Sequence, residues 1–153
     1  MQLEFDIIDI YLASAAGDKP TAVKSAELSP DGLVGDRYEQ GRGTFSNSNL
    51  TDGRALTIID EADLLWLKTE HGLDLLQGQH RRNLVTRGLD LLAMVHQTFR
   101  LGTALVRGNR PCPPCGRLSN LLGIDAKELL KGRGGLRCDV IEVGQLKQRA
   151  AIR

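Results

Sequence analysis

Apolar residues along the chain come in short runs, separated by glycine, proline and polar turns. Residues 3–14 interleave Ile, Leu, Phe and Tyr with Glu4, Asp6 and Asp9, the pattern of a strand with one partly exposed face. Gly17-Asp18-Lys19-Pro20 breaks that run, and residues 21–28 alternate loosely through Val23, Ser25, Ala26 and Leu28, which predicts a partner strand and a hairpin. Ser29-Pro30-Asp31-Gly32 is a turn. Strand character returns at residues 54–59. Asp60 then offers an N-cap, Glu61 and Asp63 place acids in a first helical turn, and Leu64, Leu65 and Leu67 supply an apolar stripe that ends at His71-Gly72.

Residues 73–79 read as a connector and residues 80–86 as a strand entered through His80, Arg81 and Arg82. Residues 98–107 are a further strand pattern with Gly102-Thr103 as a turn or bulge inside it. Leu118, Leu121 and Leu122 at helical spacing before Gly123 predict a short helix, and residues 125–131 another turn or two. Gly132-Arg133-Gly134-Gly135 is a basic link; residues 137–143 alternate as a strand, and Gly144-Gln145 turns into residues 146–152. Many short strands and about three short helices predict a mainly β (α+β), barrel-like domain, since a doubly wound sheet needs more helices.

Length and charge narrow the functions open to such a domain. At 153 residues the chain forms one domain of ordinary size. Its net charge of +1 gives no overall field for nucleic acid or an anionic membrane, and only 4% of its residues are aromatic, too few for a base-stacking platform. No apolar run approaches the roughly 18 residues of a membrane span. The acids near the N-terminus do not fit a secretory signal, so a cytoplasmic setting is expected, where three cysteines do not build a disulfide framework.

The cysteines therefore need another reason. Arg110-Pro111-Cys112-Pro113-Pro114-Cys115-Gly116-Arg117-Leu118 cannot be mid-helix, because proline removes backbone donors and fixes φ. Cys115 stands just before the helix expected at residue 118, where the positive helix end and Arg117 favour thiolate over thiol. Such a thiolate is a nucleophile, a sulfur carrier or a metal ligand. Cys138, in a late strand, reads as core. His71, His80 and His96 share no ligand spacing with the cysteines. Elsewhere, Gly32-Leu33-Val34-Gly35-Asp36-Arg37 reads as a close-approach loop with Asp36 and Arg37 at its tip, and residues 40–51 as a polar binding loop or lid.

Three stretches in this order resemble the MOSC domain, the module at the C-terminus of molybdenum cofactor sulfurases that also occurs as small stand-alone proteins. They are residues 32–37; Arg82-Asn83-Leu84-Val85-Thr86-Arg87-Gly88-Leu89-Asp90; and Pro114-Cys115-Gly116-Arg117-Leu118, with a weaker match at residues 132–135. The resemblance runs from about residue 20 to the end. It implies a distorted β-barrel that holds molybdopterin, the organic part of the molybdenum cofactor, or that exchanges sulfur with a donor or acceptor protein.

Cys115 would then be the persulfide carrier or metal ligand, with sulfurtransferase-type or molybdenum-dependent activity open to it. Arg81, Arg82, Asn83, Arg117 and Arg133 would serve phosphate and pterin, with Asp36 and Arg37 as further contacts, because guanidinium forks match phosphate oxygens. Stand-alone members usually carry Gly-Glu where this chain has Arg81-Arg82, which makes its site more basic. Cys112 is an additional thiol, able to resolve a persulfide or to compete as a ligand. Two other readings of Cys112 and Cys115 stand beside this one: half of a zinc site shared between subunits, since four ligands are needed, and a thiol redox pair.

Overall fold

A computed structural model describes residues 3–13, 19–36, 53–112 and 132–149. The strands are β1 (Asp6–Leu12), β2 (Thr21–Val23), β3 (Ser25–Ser29), β4 (Gly32–Leu33), β5 (Leu56–Asp60), β6 (Leu84–Arg87), β7 (Thr98–Leu101), β8 (Ala104–Pro111), β9 (Leu136–Glu142) and β10 (Gly144–Lys147). One α-helix, α1 (Glu61–His71), and a 3₁₀ turn at Leu92–Met94 complete the described elements.

The strands form a seven-stranded sheet in the order β2-β1-β6-β5-β9-β8-β7 and a three-stranded sheet in the order β10-β3-β4. Only β5 and β6 run parallel among the paired strands, because α1 carries the chain back between them. Asp60 caps α1 as its sequence predicts, accepting from the Ala62 amide at 2.9 Å, and Gly72 closes it at φ 64°. Of the expected stripe, Leu64 and Leu67 are buried, whereas Leu65 is 45% exposed. The buried face continues instead through Glu61, three residues before Leu64.

The predicted hairpin of residues 3–14 with 21–28 forms only in part. Val23, Ala22 and Thr21 pair with Ile10, Tyr11 and Leu12, but after Lys24 the chain leaves the large sheet and β3 pairs with β10. The change of sheet lets Leu28, Leu33 and Leu146 close over Ile10, Leu56, Ile58 and Leu84, and all seven are fully buried. The two sheets enclose this core as a barrel would. Among the described residues, however, strand pairing does not close them into a ring, and β2 and β7 stand at the edges of the larger sheet.

Strand β1 is buried on both faces, and a register shift between Ile7 and Asp9 makes that possible. Ile7 and Ile10 face the two-sheet core, while Ile8 and Tyr11 face a second cluster with Leu64, Leu67 and Leu75 under α1. The Gln148 amide reaches into the irregularity, donating to the Ile8 carbonyl at 2.6 Å and to Asp9 Oδ1 at 3.3 Å.

The strand expected from residue 80 starts only at Leu84. Arg81 takes a left-handed conformation, φ 62°, and so residues 80–83 cannot be extended. The helices expected near residues 118–122 and 125–131 and the polar loop of residues 40–51 lie outside the described residues.

Candidate functional site

Three segments far apart in sequence meet at one end of the large sheet: residues 80–83 ahead of β6, the end of β8 with Cys112, and the glycine link of residues 132–135 ahead of β9. The Arg82 Nε donates to the Gly134 carbonyl at 2.9 Å. One residue on, the Cys112 amide donates to the Gly135 carbonyl at 2.8 Å. Gly135 has φ 100°, and a Cβ there would run into the Ile58 carbonyl. The link therefore lies flat against β5, and only glycine permits it.

Asn83 is knitted into the same end. Its Oδ1 accepts from the Thr57 amide at 3.0 Å and from Thr57 Oγ1 at 3.2 Å, and its own amide lies 3.0 Å from Thr57 Oγ1. Its carbonyl accepts from the Tyr11 amide at 2.7 Å, and its Nδ2 lies 3.4 Å from the Tyr11 carbonyl. With 2% of its surface exposed, Asn83 is a brace between β1 and β5.

Asp36 is anchored two residues beyond Tyr11, where its Oδ1 accepts from the Ala13 amide at 3.0 Å. The sequence expectation put Asp36 at a loop tip, but it is fully buried. The reason is local: Gly32 and Leu33 form β4, whose pairing with β3 carries the following turn inward. Arg37, Cys115 and Arg117 lie outside the described residues. Arg133 points away from this end; its Nη1 bonds Asp63 Oδ1 at 2.9 Å and its guanidinium lies 4.0 Å over the Trp66 ring, so it ties the glycine link to α1. Burial raises the Asp63 carboxyl above its usual range, and the bond from Arg133 only partly offsets this.

Sequence reasoning did not single out two participants. His80 is 1% exposed and its Nδ1 accepts from the Arg82 amide at 2.9 Å, which puts the ring proton on Nε2. That Nε2 is buried without a hydrogen-bond partner among the described residues. Burial, with the nearby Arg82 charge, pulls the imidazole pKa down to about 3, and the ring packs edge-on against Tyr11 at 5.2 Å. Thr57 is the other. The alternation His80-x-Arg82 ahead of a strand was the available signal for the first, whereas nothing distinguished Thr57 from other strand threonines.

Cys138, expected in the core, is fully buried, and burial pushes its thiol well above the ordinary range. Cys112 is 2% exposed. The described residues contain no cluster of three or more metal-ligating side chains and no helix long and apolar enough to cross a membrane.

A mainly β domain of two sheets around one core thus brings an arginine-braced glycine link beside Cys112 at one sheet end. Residues 45–153 match the MOSC domain model, and the chain belongs to the MOSC domain family. Solved structures share the fold. YiiM from Geobacillus stearothermophilus is similar at TM-score 0.73 and 16% identity, over 94% of this chain and 71% of that one. The YUAD protein from Bacillus subtilis is similar at TM-score 0.70 and 14% identity, over 94% and 91%. YiiM from Escherichia coli is similar at TM-score 0.64 and 24% identity, over 96% and 66%. No curated protein matches the chain in sequence.

Proposed function

We propose that this MOSC domain holds the molybdenum cofactor at the sheet end where residues 80–83, Cys112 and residues 132–135 meet, with Cys115 as soft metal ligand or persulfide carrier. One observation carries the reading: the Arg82–Gly134 and Cys112–Gly135 bonds put the start of the cysteine loop beside a basic, backbone-rich corner. Covalent geometry keeps position 115 within about 11 Å of Cys112. The donor types fit the group, since thiolate suits a soft metal and guanidinium suits phosphate.

In this reading Arg81, Arg82 and Arg117 meet phosphate and pterin. Asn83, Asp36 and Arg133 hold the walls through Thr57, Ala13 and Asp63, and Arg37 adds a charge beside Asp36. Bound there, the group would supply a redox-active metal held by its dithiolene sulfurs. The distorted barrel, its further short helices and a cytoplasmic setting that keeps Cys115 reduced belong to the same reading, as does a sulfur donor or acceptor protein as partner. Sulfur transfer and molybdenum-dependent turnover are the activities such a site supports. The burial of Cys112 favours Cys115 as the reacting thiol over a zinc half-site or a redox pair, both of which need the two sulfurs equally.

Cyanolysable sulfur on protein purified from a host that makes the cofactor tests this. It is expected on the wild type and on Cys112→Ser, and absent from Cys115→Ser. Stoichiometric zinc lost equally in both variants would replace the reading with a shared zinc site.

A further inference from the structure

At the opposite end of β1 from Asn83 a cavity of about 680 Å³ opens between the start of β1, the β7–β8 turn and the end of β10. Leu3, Phe5 and Ile7 give it an apolar floor, and Arg100, Lys147 and Arg149 surround it with positive charge. Among the described residues Asp6 is the one acid in its lining and Glu142 pairs with Arg100 beside it, so the rim keeps an excess of one positive charge.

The backbone that carries these cations is fixed. Gly102 packs so close to β10 that a Cβ there would strike the Gln145 carbonyl, and Thr103 donates its amide to that carbonyl at 3.1 Å. The Arg149 amide donates to the Ile7 carbonyl at 2.9 Å, and the Gln148 amide donates to the Lys24 carbonyl at 2.7 Å. The charged ends, by contrast, are loosely committed. Arg149 pairs with Asp6 at 2.6 Å and Arg100 with Glu142 at 3.0 Å, but the two arginine side chains are 71% and 62% exposed. Exposed pairs of this kind are weak and exchange readily for a better anion.

We propose that this cavity is a second binding site, for a small anion with a flat apolar body such as an aromatic carboxylate, sulfonate or phosphate ester. Its volume lies in the range of small-molecule sites, roughly 300–1,000 Å³. The apolar floor takes the body of such a molecule, while the cationic rim takes its acid group and selects against neutral and cationic analogues. The site stands apart from the cofactor reading, since no residue of residues 80–83, 112 or 132–135 lines it.

Titration of the full chain with 1-anilinonaphthalene-8-sulfonate, followed by its fluorescence, tests the proposal. Saturable binding is expected, weakened about tenfold by Lys147→Glu, as one charge reversal beside a bound anion should do. The neutral N-phenyl-1-naphthylamine should bind more weakly than the sulfonate, and Lys68→Glu on α1 should leave affinity unchanged. Arg100→Gln, measured the same way, serves if circular dichroism shows that Lys147→Glu does not fold. Absence of saturable binding, equal affinity in wild type and folded rim variant, or equal binding of the neutral dye would overturn it.

Discussion

Arg82 and Gly134, 52 residues apart in sequence, are joined by a 2.9 Å bond from the buried Nε of the arginine to the glycine carbonyl. A guanidinium buried in this way does two things: it satisfies a loop carbonyl, and it fixes positive charge beside the start of the cysteine loop. Arg82→Met removes the donor and strands the carbonyl. The expected cost is about 1–3 kcal/mol of stability, measured by urea denaturation. An unchanged midpoint would show that the bond does not brace the link.

Gly135 should tolerate no side chain. Its φ of 100° and its approach to the Ile58 carbonyl leave no room for a Cβ, so Gly135→Ala should destabilise by at least about 1–3 kcal/mol through backbone strain alone. Gly132→Ala is the control. Gly132 also has positive φ, 74°, but none of the described residues lies within 4 Å of a Cβ there. Thermal melting should rank the two, with Gly135→Ala the lower.

His80 sets an acid limit on the fold. Its imidazole has a native pKa of about 3, against 6.5 for the ordinary group. Below pH 6.5 the unfolded chain takes up a proton that the native protein refuses. Stability should therefore fall as pH drops from about 6.5 to about 3, by up to about 1.4 kcal/mol per pH unit from this group. Above 6.5 both states are neutral and the group contributes no slope. In His80→Gln the fall over that window should be shallower. An identical slope in the two proteins would show that the ring is not held neutral.

Trp66 is the chain's single tryptophan and lies 4.0 Å beneath the Arg133 guanidinium. Arg133→Gln should change Trp66 emission, because the cation over the ring is lost. If Arg133 acts by holding the glycine link on α1, it should lower molybdenum content less than Arg82→Met does. Equal losses in both variants would instead make Arg133 a direct contact of the bound group.

Helix α1 was readable to the residue, since Asp60, the acids after it and Gly72 are local signals that packing here does not override. Residues 98–107 read as one strand with a turn or bulge at Gly102-Thr103, whereas that turn reverses the chain into the β7–β8 hairpin and β8 runs on to Pro111. The partner chosen by residues 25–29 was not readable, because the choice depends on burying Leu28 across the core rather than on the segment itself. Arg82 and Asn83 were singled out together through the family resemblance, and both are buried just ahead of β6. That Asn83 braces β5 through Thr57, and that Asp36 sits buried under the end of β1, depend on contacts between distant segments, which no spacing rule encodes. His80 escaped because it was weighed only as a metal ligand.

The central claim is that Cys115 and the Arg82 corner together hold the cofactor, and molybdenum per chain measures this most directly. Protein should be purified from a cofactor-making host and analysed as wild type, Cys115→Ser and Arg82→Met. Near-stoichiometric molybdenum in the wild type, lost in Cys115→Ser and reduced in Arg82→Met, is the predicted result. Wild-type protein that carries neither molybdenum nor cyanolysable sulfur, or a Cys115→Ser variant that retains both, would contradict it.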